Sequence, residues 1–165
     1  MSDSLKILAE RLSVKEGLLN ELMLLMDEER ACIMEMDSAG LESRRENRIL
    51  LVERLAKAKA SCREALEDSS QELGLSPDAA LSTLIEALHP SRREGLAAAR
   101  RRIIDLVEKL NRSNSFNRDL LHRSLTMVNR SIEFYNSRLG SSDTYSGSGR
   151  MVSGISGGKL VKGEI

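Results

Sequence analysis

LKILAERLSVKEGLLNELMLLMDEERACIMEM, residues 5–36, decides the fold. Steps of three and four residues place Leu5, Leu8, Leu12, Leu19, Leu22, Met26, Ile33 and Met36 on one seam, with Lys15 and Glu29 as its polar members. Such alternating steps line one side of a 3.6-residue helix, so the spacing predicts one long amphipathic helix. Ser2, Asp3 and Ser4 offer caps at its start. Asp37, Ser38, Ala39 and Gly40 supply a break, with Gly40 expected in the left-handed conformation that ends a helix.

A second helix is predicted from about Leu41 to Leu73, with Leu41, Ile49, Val52, Leu55, Cys62, Leu66 and Leu73 on one side. Gly74 ends it. Ser76, Pro77 and Asp78 read as an N-cap followed by a proline in the first turn, opening a short third helix from about Pro77 to Leu88. That helix stops before Pro90, because the residue preceding a proline resists the helical region. The fourth helix is the longest, about Ser91 to Leu139. Its stripe reads Ile103, Val107, Leu110, Asn114, Asn117, Leu121, Leu125, Val128, Ile132, Tyr135, Leu139, with one extra-residue slip between Leu121 and Leu125. A helix of this length spans on the order of 70 Å, so part of its apolar face is expected to project beyond the other helices.

Composition supports a helical reading. The 165-residue chain has no tryptophan and two prolines, Pro77 and Pro90, and its aromatic residues are Phe116, Phe134, Tyr135 and Tyr145. A core without aromatics must be built from Leu, Ile, Met, Val and Ala. Before residue 140 the only glycines are Gly17, Gly40, Gly74 and Gly95, which favours a few long helices over a sheet. The fold class expected is all-α: an elongated antiparallel bundle or coiled coil of three long helices plus one short helix, over residues 1–139. Residues 140–165 hold seven of the eleven glycines. Their few apolar residues do not offset the entropy of ordering such a segment, so a flexible tail is expected there.

Net charge is zero but uneven. Residues 1–37 carry four bases and nine acids, −5, whereas residues 90–139 carry eleven bases and five acids, +6. Complementary helices packed on one another account for this pattern better than a nucleic-acid footprint does. Arg100, Arg101 and Arg102 are the best nucleic-acid candidates, and no stacking aromatics stand near them. Cys32 and Cys62 lack CxxC or histidine spacing and read as small buried side chains in a reducing compartment. His89 and His122 have no partner placed by a motif. No nucleophile, base or metal constellation can be assembled, so neither catalysis nor a metal or cofactor is expected. The N-terminus lacks a secretory pattern and no stretch is apolar enough to span a bilayer, so a cytoplasmic location without membrane insertion is expected.

Four pieces in order carry a family resemblance: MLLMDEERACI closing the first helix, LESRRENRILLVERL in the second, LNRSNSFNRDLLHRSL in the fourth, and the tail with TYSGSG and GGKLVKGEI. Together they resemble the FlgN-type flagellar export chaperones, over nearly the whole chain. The chain departs from that pattern in a longer connection between the second and fourth helices. The resemblance implies a non-enzymatic cytoplasmic chaperone that binds the helical C-terminal region of the hook–filament junction proteins FlgK and FlgL. It implies delivery to the type III export gate, through the cytoplasmic domain of FlhA, with the export ATPase complex as a further partner.

A client that polymerises through terminal helices must have their apolar faces covered beforehand. Leu121, Leu125, Val128, Ile132 and Tyr135 form a face suited to that task. Asn114 and Asn117 are expected to join it, since a seam asparagine costs stability without a partner and specifies register or partner when it has one. The resemblance gives Tyr145 the export-gate docking role, and a lone aromatic in a flexible segment is a workable anchor. A homodimer is compatible with the exposed seams. The alternatives are a generic coiled-coil scaffold or adaptor, and a nucleic-acid-associated regulator using Arg92, Arg93 and Arg100 to Arg102.

Overall fold

A computed structural model describes residues 3–139 and the dipeptides 144–145 and 151–152. The described elements run α1 (Asp3–Glu35), α2 (Ser38–Glu72), α3 (Leu81–Ala87), α4 (Pro90–Leu139), β1 (Thr144–Tyr145) and β2 (Met151–Val152). The class is the expected one, three long helices and a short one. The expectation of a flexible tail falls on residues outside those described, apart from the two dipeptides, which pair antiparallel with Tyr145 opposite Met151. The chain divides into two units, Met1–Leu121 and His122–Ile165, and α4 contributes to both.

In the first unit α1 and α2 form an antiparallel hairpin. Arg44 pairs with Glu28 at 3.2 Å, Arg54 with Glu21 at 2.8 Å, and Ser4 Oγ donates to Glu72 at 2.6 Å, so one helix ascends as the other descends. α4 lies parallel to α1, with Arg102 on Glu16 and Asn117 on Met26. Leu84, Ile85 and Leu88 of the α3 region close the core, and Leu84 and Leu8 are at most 1% exposed. Each such leucine contributes roughly 1.5–3 kcal/mol by leaving water.

The α1 seam follows the expected residues as far as Ile33, with Leu5, Leu8, Leu12, Leu19, Leu22, Met26 and Ile33 all buried, whereas Met36, just past the helix end, is exposed. The α2 seam follows its expected residues only in part, through Leu55, Cys62 and Leu66. Ile49, Val52 and Leu73 are exposed, and the buried line instead runs through Leu51, Leu55, Ala58, Cys62, Ala65 and Ser69, continued upward by half-buried Arg48 and Arg44. Steps of three and four hold along this line, but its small and charged members escape a count of large apolar residues. Within the first unit the α4 seam is likewise shifted. It passes through Leu96, Ala99, Ile103, Leu106, Leu110, Ser113, Asn117 and Leu120, leaving Val107 and Asn114 on an exposed flank.

Helix ends explain three further differences. The left-handed residue after α1 is Met36, at φ 55°, not Gly40. Asp37 N–H then reaches back to Cys32 O at 2.9 Å, and the Asp37 carboxylate accepts from Gly40 N–H at 2.9 Å to cap α2. Gly40 lies inside the first turn of α2, where a Cβ would collide with the Asp37 carboxylate it has to leave in place. Gly74 does end α2 as expected, at φ 68°, with its N–H on Gln71 O and that of Leu75 on Ser70 O. Pro77 opens no helix: Ala79 N–H bonds Ser76 O at 2.9 Å, which makes residues 76–79 a turn with the proline in its favoured second position. α3 therefore starts only at Leu81. Pro90 is the first residue of α4, where its missing N–H has no helical partner to lose.

Candidate functional site

Near the α1–α2 turn the three seams exchange apolar for polar residues at the same level. Glu29, buried on α1, accepts from Arg48 Nη1 at 3.0 Å, and Arg48 Nη2 donates to Asn114 Oδ1 at 2.8 Å. Arg30 donates from Nε to Asn117 Oδ1 at 3.0 Å and from Nη2 to Ser113 Oγ at 2.7 Å, while Nη1 pairs with Asp27 at 3.2 Å. Its guanidinium carbon stands 5.0 Å from the centre of the Phe116 ring. Asn117 Nδ2 completes the layer by donating to Met26 O at 2.7 Å.

Both seam asparagines thus have a hydrogen-bond partner on another helix of this unit, Asn117 in a buried position and Asn114 in an exposed one. Sliding α4 by one turn would bury unpaired charge and amide together, so the layer admits one register. With its amide held on Met26 and Arg30, buried Asn117 is not part of an open surface. Arg30 and Arg48 were not singled out from the sequence. The available signal was the phase of Arg44 and Arg48 relative to Leu51 and Leu55.

Beyond this layer the α4 stripe changes character. Leu121, at the end of the first unit, is 36% exposed; in the second unit Leu125, Val128, Ile132 and Tyr135 are 55%, 40%, 44% and 63% exposed. The slip in the stripe between Leu121 and Leu125 coincides with the division between the units. The other side of this segment carries Arg123, Met127, Arg130 and Phe134, which line an open concavity. Phe134 meets Tyr135 edge-on, with ring centres 6.0 Å apart. Thr126, Ser131 and Ser137 turn their hydroxyls onto carbonyls of their own helix. Of Tyr145 the structure describes the backbone, paired with Met151.

The remaining candidates have local roles. Arg102 forms a two-pronged pair with Glu16 at 2.7 and 3.1 Å, and that hydrogen bond, with the carboxylate charge, raises its pKa further. Arg93 donates to Glu86 O at 2.6 Å. These contacts take two arginines of the basic cluster into the fold's own bonding. His89 Nδ1 lies 2.9 Å from Ser91 Oγ at the start of α4, a capping position. Both cysteines are free and buried, and burial pushes the Cys62 thiol pKa up, offset in part by the charges of Lys15 and Arg11. Among the described residues no three His, Cys, Asp or Glu side chains are grouped to hold a metal, and no helix is long and apolar enough to cross a membrane.

A family model described as FlgN protein matches residues 1–153. No curated protein and no solved structure matches the chain.

Proposed function

The chain belongs to the FlgN family of flagellar export chaperones, and we propose that it binds the helical C-terminal regions of FlgK and FlgL and keeps them from assembling early. The observation that carries this reading is the change along one helix. Leu96, Ile103 and Leu110 of α4 are buried at 6–8% exposure, whereas Leu125, Val128, Ile132 and Tyr135 remain 40–63% exposed. A helix segment that keeps its apolar periodicity with those side chains exposed is suited to a second helix.

Covering these side chains, with Leu121, contributes roughly 1 kcal/mol each from this side of a contact. A client helix adds a similar amount, and association then subtracts several kcal/mol. The balance favours a reversible complex, as handover to an export gate requires. Buried Asn117, its amide held by Met26 and Arg30, leaves the proposed client set, and exposed Asn114, with one bond to Arg48, stays in it.

Tyr145 is proposed as the anchor that docks the loaded chaperone on the cytoplasmic domain of FlhA, in the cytoplasm, with the export ATPase complex as a further contact. The test combines two variants. Leu121→Asp with Leu125→Asp is expected to stay helical and lose co-purification with the junction proteins, and undiminished co-purification removes the distal face from the interface. Tyr145→Ala is expected to retain its client and lose gate binding and secretion. Normal export by that variant ends the docking role.

A further inference from the structure

From Leu121 onward α4 reads as a coiled-coil repeat, with Leu125 and Ile132 at one core position and Leu121, Val128 and Tyr135 at the other. Helix pairs that choose partners by charge carry Glu and Lys at the positions flanking such a core. Here one flank is His122, Asn129 and Asn136, all exposed. The other is Ser124, Ser131 and Arg138. Neither flank contains a carboxylate.

Even the flanking arginine is drawn aside: the Arg138 guanidinium lies 5.3 Å from the centre of the Phe134 ring. At 100° per residue Phe134 points well away from the core line, and Arg123 and Arg130 stand roughly opposite it. Ser131 Oγ donates to Met127 O at 3.0 Å, so this hydroxyl too is turned onto its own helix. Apart from Arg138 at its end, the segment therefore carries its charge on the side away from the apolar face. Along Asn129, Asn136, Ser124 and Ser131 a partner with charged flanks would bring its charges against amides and hydroxyls, losing hydration without gaining an ion pair.

We infer that the distal seam takes an amphipathic client helix whose own flanks are uncharged, and selects it by apolar fit and not by ion pairing. The inference rests on the proposed client-binding reading. It explains how one surface serves two clients, since nothing on its flanks rejects a second helix of similar apolar profile.

The test titrates the full-length protein with a synthetic peptide of a junction protein's C-terminal helix, following binding by calorimetry. Raising NaCl from about 0.1 M to about 1 M shortens the Debye length from about 10 Å to about 3 Å, and Kd is expected to stay within about twofold. Two further peptides, with the flanking residues replaced by Glu in one and by Lys in the other, are expected to bind equally well within about twofold. A tenfold weakening with salt, or a clear preference for one sign of flank, overturns the inference. Leu125→Asp separates the two levels. Binding that survives this substitution removes the seam reading itself, as does a native peptide that fails to bind. Salt-sensitive binding that Leu125→Asp abolishes leaves the seam in place and removes only the uncharged-flank selection.

Discussion

Asn117→Ala distinguishes an asparagine that holds the bundle from one that waits for a partner. The side chain is 6% exposed, donates to Met26 O at 2.7 Å and accepts from Arg30 Nε at 3.0 Å. A neutral hydrogen bond contributes about 0.5–1.5 kcal/mol and one to a charged donor about 1.5–3 kcal/mol. Arg30 keeps Ser113 and Asp27, so the loss should fall in the lower half of the sum, about 2–3 kcal/mol. For a unit of this size, that lowers Tm by roughly 6–12 °C. Asn114→Ala is the control: it is exposed, has one bond to Arg48, and leaves Arg48 on Glu29, so a loss of about 0.5 kcal/mol is expected. Far-UV circular dichroism melts of the two variants, with client pull-down well below either Tm, make the comparison. Equal melting of the two, or loss of client binding by a fully stable Asn117→Ala, would refute the internal role.

Other expectations follow from the same geometry. Arg48→Ala leaves buried Glu29 without its cation and should destabilise by about 2–4 kcal/mol, whereas Arg54→Ala, from the solvent-exposed pair with Glu21, should lose under about 1 kcal/mol; urea midpoints compare them. Gly17→Ala, with nothing within 4 Å of an added Cβ inside α1, should stabilise by about 0.5–1 kcal/mol. Gly40→Ala should not, because the new Cβ displaces the Asp37 carboxylate and with it a cap of about 1 kcal/mol. Cys62, whose pKa is raised in the fold, favours folding fully below the ordinary thiol range and loses that contribution as pH rises through its native value. Between about pH 8 and pH 10 the wild type should lose stability faster than Cys62→Ala, by up to about 1.4 kcal/mol per pH unit, measured by urea denaturation.

How far the fold could be read depended on which residues carried the seam. α1 was legible because its line is drawn in leucine, methionine and isoleucine, and Glu29 kept its place in the count despite its charge. The α2 line passes through Arg44, Arg48, Ala58, Ala65 and Ser69, and larger residues off that line, Ile49 and Val52, drew the reading a third of a turn away. In α4, Leu106 beside Val107 and Leu120 beside Leu121 offer two phases one residue apart. The choice is made by Asn117 and Ser113 meeting Arg30 across a helix interface. Such a contact lies 83 and 87 residues away along the chain, beyond any local pattern.

The distal stripe was visible in the sequence as periodicity, but whether it was covered was not. Nothing in Leu125 or Ile132 says whether another helix of the chain lies over them. The register of α1 and α4, fixed by Glu16 with Arg102 and Arg30 with Asn117 at separations of 86 and 87, brings the end of α1 at Glu35 level with Leu121 of α4. That level is also where the first unit ends and the slip in the stripe begins.

Amide hydrogen exchange of the full-length protein, alone and with the junction protein's C-terminal helix, tests the client surface most directly. Bound client should slow exchange across residues 122–139 and leave Leu5–Leu25 of α1 unchanged. Slowing confined to the first unit, with residues 122–139 exchanging as before, would contradict the assignment of the distal face.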